Sequence, residues 1–196
     1  MKTIKLTFGA LVLMASSLMA QTNWAVDASH SKLGFKVTHM MVSETEGKFK
    51  IYEGKVIGKT DADFVDAQVE FSVDVNSVDT DDDKRDGHLK SDDFFNAEKF
   101  PKMTFKSTSM KKGKEKGQYI LIGDLTIRDV TKKVTLTATT NGKTVKDPWG
   151  KTRTGFNVKG TINRVEYGLK WNTLLEAGGM AVSEQVTIDS NIELVK

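Results

Sequence analysis

The residues best suited to acid–base chemistry or metal binding cluster in residues 78–105, VDTDDDKRDGHLKSDDFFNAEKFPKMTF. Asp79, Asp81 and Asp83 have the spacing of the first ligands of a calcium loop, which also needs glycine at its sixth position and glutamate at its twelfth. Those positions hold Lys84 and Lys90. Lys84 replaces the glycine that allows the sharp turn, and Lys90 replaces the glutamate that binds the ion. The spacing therefore argues against a calcium site.

The histidines offer no local metal or catalytic signature. His30, His39 and His88 lie in separate segments without i, i+4 spacing, and the chain has no cysteine, so zinc ligands could meet only through the fold. Three Gly-Lys-Thr tripeptides lack the earlier glycine of a phosphate-binding loop, and there is no G-x-S-x-G elbow. We therefore predict no catalytic residue, no metal site and no cofactor.

The first twenty residues, MKTIKLTFGALVLMASSLMA, have the order of a secretory signal peptide. Lys2 and Lys5 precede a short apolar run, and small residues lead to Ala20, where we expect cleavage. No cysteine follows that could carry a lipid. The sequence predicts a signal peptide over 1–20, a mature domain over 21–196, a periplasmic or secreted location and no stable membrane anchor.

Charge and composition exclude several other classes. Removing Lys2 and Lys5 from 29 basic residues leaves a near balance with 26 acidic ones, so no nucleic-acid partner is expected. The run KKGKEKG at 111–117 is interpreted as a solvated hairpin tip. Without cysteine, an exported domain has no disulfides.

The mature chain alternates apolar and polar residues, the pattern of strands with one wet and one apolar face. Eight half-buried antiparallel strands either pack as a sandwich or close into a barrel, and closure removes exposed edges. The eight segments are SKLGFKVTH, GKFKIYEGKVIGK, VDAQVEFSVDV, MTFKSTS, YILIGDLTI, VTLTATT, FNVKGTI and EQVTIDSNIELV.

Four motifs in order, VDASHSKLGFKVTHMMVSETEGKF, RDGHLKSDDFFNAEKFPKMTFKST, GDLTIRDVTKKVTL and INRVEYGLKW, resemble the YceI-like family of lipid- or polyisoprenoid-binding proteins. The resemblance spans nearly all of the mature chain. It implies an all-β, extended eight-stranded antiparallel barrel similar to lipocalins, with an amphiphile's chain inside. It also implies a bacterial periplasmic or secreted protein and makes a homodimer reasonable.

With that resemblance, residues 85–95 are expected to form a short helical lid, and a second short helix is considered for 172–181. Leu89, Phe94 and Phe95 are expected to turn onto the barrel, while Arg85 and His88 tie the lid down. Pro101 ends the segment because the residue before proline favours extended backbone.

The predicted ligand contacts occupy the apolar phase of their strands or the lid. Counting by twos also places His39 and Arg164 inward at strand ends. Arg164 must then meet a carboxylate such as Glu166 or a lid aspartate, backbone carbonyls or a ligand headgroup. The complete set is Phe35, Val37, His39, Phe71, Phe94, Phe105, Phe156, Ile162, Arg164 and Trp171.

The leading hypothesis for function is non-enzymatic binding, transport or storage of a long-chain amphiphile such as a polyisoprenoid, an isoprenoid quinone or a fatty-acid derivative. Each buried methylene contributes about 0.8 kcal/mol, which can offset the cost of immobilising the chain. The alternative is a ligand-free structural or stress-response barrel that acts through its surface, its phenylalanines filling the interior. An enzyme acting on a lipid is the third class.

Overall fold

The computed structural model describes residues 21–140, 142–176 and 178–196. The predicted signal peptide, 1–20, lies outside this range. Twelve strands and one α-helix are present among the described residues. The strands are β1 Thr22–Val26, β2 Leu33–His39, β3 Ser43–Phe49, β4 Tyr52–Gly58, β5 Gln68–Asp74, β6 Val78–Asp79, β7 Lys102–Lys112, β8 Gln118–Ile127, β9 Val130–Thr140, β10 Val145–Lys146, β11 Thr152–Asn163 and β12 Val182–Val195, and the helix is α1 Asp83–Lys90.

All strand pairings are antiparallel, and they close the sheet on itself. The order β11-β9-β8-β7-β5-β4-β1-β12 returns to β11, because β12 pairs with β11 from Val195 to Gln185. Each of the eight strand positions around the barrel is called a stave. Three of the staves are each broken into two strands: β1 with β2, β3 with β4, and β5 with β6. The structure is therefore the predicted eight-stranded barrel, and the sandwich alternative is wrong.

The two ends of the barrel are built differently. One end carries α1 and the connections 40–42, 80–101, 128–129 and 164–181, and is called the lid end. The other end carries the connections 59–67, 113–117 and 142–151, and is called the basic end because of its lysines.

Helix α1 is polar and has no apolar face to bury, so capping hydrogen bonds stabilise it. Asp82 accepts a hydrogen bond from the Arg85 amide at 3.0 Å, as an N-cap residue does. The buried Asp86 accepts bonds from the amide and hydroxyl of Thr80 at 2.9 and 2.6 Å. The second helix considered for 172–181 is wrong for the described residues, where Leu174 and Met180 instead form a β-bridge.

The apolar core extends along the barrel to both of its ends. At the basic end, Phe64 packs edge-on against Phe156 at 4.9 Å and also contacts Trp24 and Tyr119. At the lid end, Phe95 packs edge-on against Phe49 at 5.8 Å. Aromatic clusters thus lie at both ends of the interior.

Candidate functional site

An apolar cavity of about 230 Å³ runs along the inside of the barrel. Every long stave contributes to its wall, because each turns its apolar phase inward. Thr104, Arg164 and Ser190 are the polar residues among the described residues that line it. The Ser190 hydroxyl is already bonded to the backbone of Gly34. The lining offers no nucleophile paired with a base, and its chemistry is suited to holding an apolar chain.

Glycines on the inner wall make room for the phenylalanines. Gly47 is paired with Phe35 across β2 and β3, and Gly54 is paired with Phe71 across β4 and β5. A side chain at either glycine would collide with the ring of its partner. These rings therefore lie over glycine backbone and close to the wall. This arrangement keeps space open along the barrel axis.

Most of the predicted contacts lie on this wall. Phe35, Val37, Phe71, Phe105, Phe156 and Ile162 line it from the strands, Phe94 lines it from the lid segment, and Arg164 lines it at the lid end. Other lining residues on the inward faces of the strands were not included in the predicted set: Leu33, Phe49, Val56, Leu121 and Leu136. Phe64 lines the cavity from the connection 59–67, where alternation gives no signal.

His39 and Trp171 do not line the cavity, contrary to their assignment. The register shift between Val182 and Val186 lies in β12, whereas β2 pairs regularly with β3 as far as His39. His39 is the last residue of β2 and lies two residues beyond Val37, which lines the cavity. Trp171 packs outside the cavity, 5.5 Å from Phe94 and 4.9 Å from His88 between ring centroids. These contacts hold it against residues of the lid segment.

Arg164 is the charged residue of the wall, and its partners are backbone carbonyls. Its guanidinium donates to Ser183, Leu169, Trp171 and Val182 at 2.5–3.2 Å. Of the partners that the sequence left open, the structure shows backbone carbonyls, and no carboxylate of the described residues pairs with Arg164.

The predicted partner Glu166 instead meets Lys132 at 3.2 Å. Burial lowers the pKa of Arg164. Four of its five N–H groups are engaged, which leaves one Nη2 hydrogen without a partner among the described residues.

The lid segment carries the predicted apolar residues onto the barrel end. Leu89, Phe94 and Phe95 line the cavity. Arg85 anchors the start of the helix by donating to the hydroxyl and carbonyl of Thr80 at 2.8 and 2.7 Å. His88 instead bonds Asp93 at 2.8 Å, within the lid segment.

A second arginine, Arg128, clamps the lid and was missed from the sequence. It lies in the β8–β9 turn with a left-handed φ of 58°. Its guanidinium reaches the carbonyls of Phe94 and Gly168 and the carboxylate of Asp92 at 3.0–3.3 Å. A non-glycine residue with a left-handed φ often indicates a functional constraint. Because φ cannot be read from a sequence, this signal could not identify Arg128 beforehand.

One cluster of ionisable groups lies apart from the cavity. Asp27, His30 and Glu193 converge near the break between β1 and β2. The Arg153 guanidinium donates to Asp27 at 2.6 Å and to Glu193 at 2.5 Å. The position that a metal ion would take between these carboxylates already holds a cation. Hydrogen bonds from Ser29, Arg153 and His30 hold the pKa of Asp27 well below its usual range.

The family assignment follows from the whole chain. The family model of the YceI-like domain matches the sequence of residues 24–194. This protein belongs to the YceI-like family. A UPF0312 protein of Staphylococcus aureus (strain bovine RF122 / ET3-1) is 36% identical over 172 residues, which cover 88% of this chain and 96% of that protein.

Solved structures of the family share the barrel. The Campylobacter jejuni YCEI protein is 29% identical with a TM-score of 0.66, over 87% of this chain and 95% of that one. Burkholderia cenocepacia BcnA is 23% identical with a TM-score of 0.72, over 87% and 99%. A polyisoprenoid-binding domain from Saccharophagus degradans is 18% identical with a TM-score of 0.58, over 87% and 97%. The last two likenesses concern the fold.

No helix among the described residues is long and apolar enough to span a membrane.

Proposed function

We propose that this YceI-like protein binds a long-chain amphiphile, a polyisoprenoid or a related lipid, inside its barrel and carries or stores it without catalysis. The observation that carries this proposal is the cavity inside the barrel, whose lining is apolar apart from Thr104, Arg164 and Ser190. Its volume of about 230 Å³ exceeds the roughly 150 Å³ at which apolar cavities in proteins hold a benzene.

In this proposal the polar end of the ligand lies at the lid end of the barrel. Arg164 is the charged group of the lining, and it retains one N–H beyond its four carbonyl partners. A headgroup with a carbonyl or hydroxyl oxygen can accept that hydrogen bond while the tail extends towards Phe156. The similar fold of the polyisoprenoid-binding domain from Saccharophagus degradans supports the same ligand class.

We further propose that the protein works after export, in the periplasm or outside the cell, with residues 1–20 removed. Amphiphiles that cross an aqueous compartment need their chains shielded from water. N-terminal sequencing of the exported protein should begin at or near Gln21. An intact Met1 on exported protein would contradict export by cleavage.

The binding test is displacement of a fluorescent fatty acid, followed across a series of alcohols of increasing chain length. Affinity should rise with each methylene until the cavity is full. Phe71→Asp places a carboxylate in the lumen and should abolish binding, whereas Ile51→Asp changes an exposed residue, 61% accessible, and should leave binding intact.

A folding defect in Phe71→Asp would leave binding undecided, so a gentler variant is needed. Gly47→Ala adds one methyl group that must displace the Phe35 ring into the lumen. It should shorten the longest alcohol that binds while the protein stays folded. Unchanged chain-length dependence in folded Gly47→Ala, or equal losses in Ile51→Asp and Phe71→Asp, would contradict a ligand in the cavity and favour the ligand-free, surface-acting alternative.

A further inference from the structure

The basic end carries a surplus of positive charge that the structure does not neutralise. Five exposed lysines make no ion pair with any described residue: Lys114, Lys116, Lys143, Lys146 and Lys151. The acids of this end are, by contrast, mostly paired within the fold. Asp61 meets Lys196 at 2.6 Å, Asp66 meets Lys59 at 2.7 Å, and Asp147 meets Arg153 at 2.7 Å.

These lysines belong to one continuous surface. The β7–β8 hairpin and the end of β9 are joined, because the Thr140 amide donates to the Gly117 carbonyl at 2.9 Å. The chain then forms the β10–β11 hairpin, which is held to the same end by a bond from the Thr144 hydroxyl to the Asp61 carbonyl at 3.0 Å. The hairpin 113–117 and the segment 142–151 therefore present their cations side by side.

An exposed tryptophan lies among these cations on a rigid turn. Trp149 is 81% accessible and Val145 is 53% accessible. The carboxylate of Asp147 fixes the turn by accepting from the amides of Trp149 and Lys151 at 3.0 and 2.9 Å. Because the Asp147 side chain is only 6% accessible and is bonded to Arg153, the exposed side chains of the hairpin are cations and apolar groups.

Tryptophan surrounded by lysines is the pattern that favours the boundary between lipid headgroups and acyl chains. We propose that the basic end docks on an anionic lipid surface, with Trp149 and Val145 entering the headgroup region and the lysines contacting anionic headgroups. A stable protein interface uses about 20–30 residues on each side, far more than these two apolar side chains provide. Docking leaves the lid end, at the opposite end of the barrel, facing the aqueous phase.

Sedimentation with vesicles tests this surface whether or not the cavity holds a ligand. Binding to phosphatidylcholine vesicles containing phosphatidylglycerol should exceed binding to phosphatidylcholine alone and should weaken as salt is raised. A lysine near an anionic membrane contributes about a five-fold change in binding. Changing Lys143, Lys146 and Lys151 to glutamine should therefore weaken binding on the order of a hundredfold.

The matched control changes three lysines of the lid end, Lys84, Lys102 and Lys170, to glutamine. It alters net charge equally and should leave vesicle binding nearly unchanged. Equal losses in the two triple variants would overturn the assignment to the basic end.

Tryptophan fluorescence identifies the residue that enters the lipid. Trp24 is buried and Trp171 is half-buried, whereas Trp149 is exposed, so a blue shift on vesicle binding should come from Trp149. Trp149→Phe should abolish the shift and keep most of the binding. Absence of the shift in the natural protein would overturn the proposal, as would loss of vesicle binding in Val42→Asp, which would place docking at the lid end. Binding of an anionic oligonucleotide with no preference for anionic vesicles would show that the lysines serve a different polyanion and would also overturn it.

Discussion

Arg164 shows how one residue can be placed correctly from sequence while its partners are not. Counting by twos along β11 put it inward at the strand end, and it lines the cavity there. Its four carbonyl partners come from segments 169–171 and 182–183. Those carbonyls converge only after the chain turns at Gly168, which has a φ of 85°. Such convergence depends on the path of a loop, and residue alternation does not encode it.

Replacing Arg164 with methionine should destabilise the protein by at least about 3 kcal/mol, because it leaves buried carbonyls without donors. Arg85→Met is the matched control, since Arg85 is more exposed and bonds only to Thr80 and Asp82. It should cost markedly less. Urea unfolding of both variants measures the difference, and equal losses would show that the Arg164 carbonyls find other donors.

At the scale of elements, the sequence predicted the strands well and the connections less well. Alternation identified the eight staves because one face of each strand is buried. It did not show β1 as a separate strand, since the 3-10 turn Ala28–His30 breaks the stave after only five residues. Helix α1 has no apolar periodicity, so its location came from family resemblance and its stability comes from capping by Asp82.

The β2–β3 turn contains a residue choice that local propensity does not explain. Met40 and Met41 both have left-handed φ values, 50° and 61°, and the Val42 amide donates to the His39 carbonyl at 3.1 Å. This is a type I′ turn, which favours Asn-Gly. Changing Met40-Met41 to Asn-Gly should therefore raise stability by about 1–2 kcal/mol. A lower melting temperature would show that the methionine side chains, one of which contacts Gly179, contribute more than the strain costs.

The lid is held by Arg128, so loosening that contact should speed its opening. Arg128→Asn keeps a residue that tolerates the left-handed turn but removes the bonds to Asp92, Phe94 and Gly168. Hydrogen exchange at residues 92–97 should become faster and the barrel strands should keep their protection. Lys132→Met, which removes an exposed ion pair with Glu166, is the control. Unchanged exchange in Arg128→Asn would mean that the apolar contacts of Phe94 and Phe95 hold the lid alone.

At the scale of the whole molecule, stability should depend on pH through the carboxylates around Arg153. Bonds from Ser29, Arg153 and His30 lower the pKa of Asp27, and a bond from Arg153 lowers the pKa of Asp147, both from an ordinary value of 3.8. A carboxylate whose pKa is lowered in the folded state adds stability that is fully present above its ordinary pKa of 3.8. This stability is lost as pH falls from that ordinary value through the lowered pKa. The melting temperature should therefore drop below about pH 4.

Arg153→Gln isolates this network from the other carboxylates. At pH 7 it should melt well below the natural protein, because Asp27, Asp147 and Glu193 lose their shared cation. Near pH 3 the difference should shrink, since protonated carboxyls repel less. A difference in melting temperature that stays constant between the two pH values would contradict the assigned role of Arg153.

The central claim is that the barrel holds a long-chain amphiphile, and native mass spectrometry tests it most directly. The mature protein, exported and purified without detergent, should carry a bound species with the mass of a polyisoprenoid or related lipid. That species should be absent from purified Phe71→Asp and present in Ile51→Asp. A natural protein that shows only its bare mass, and still shows none after incubation with the lipid extract of its own cells, would contradict the claim.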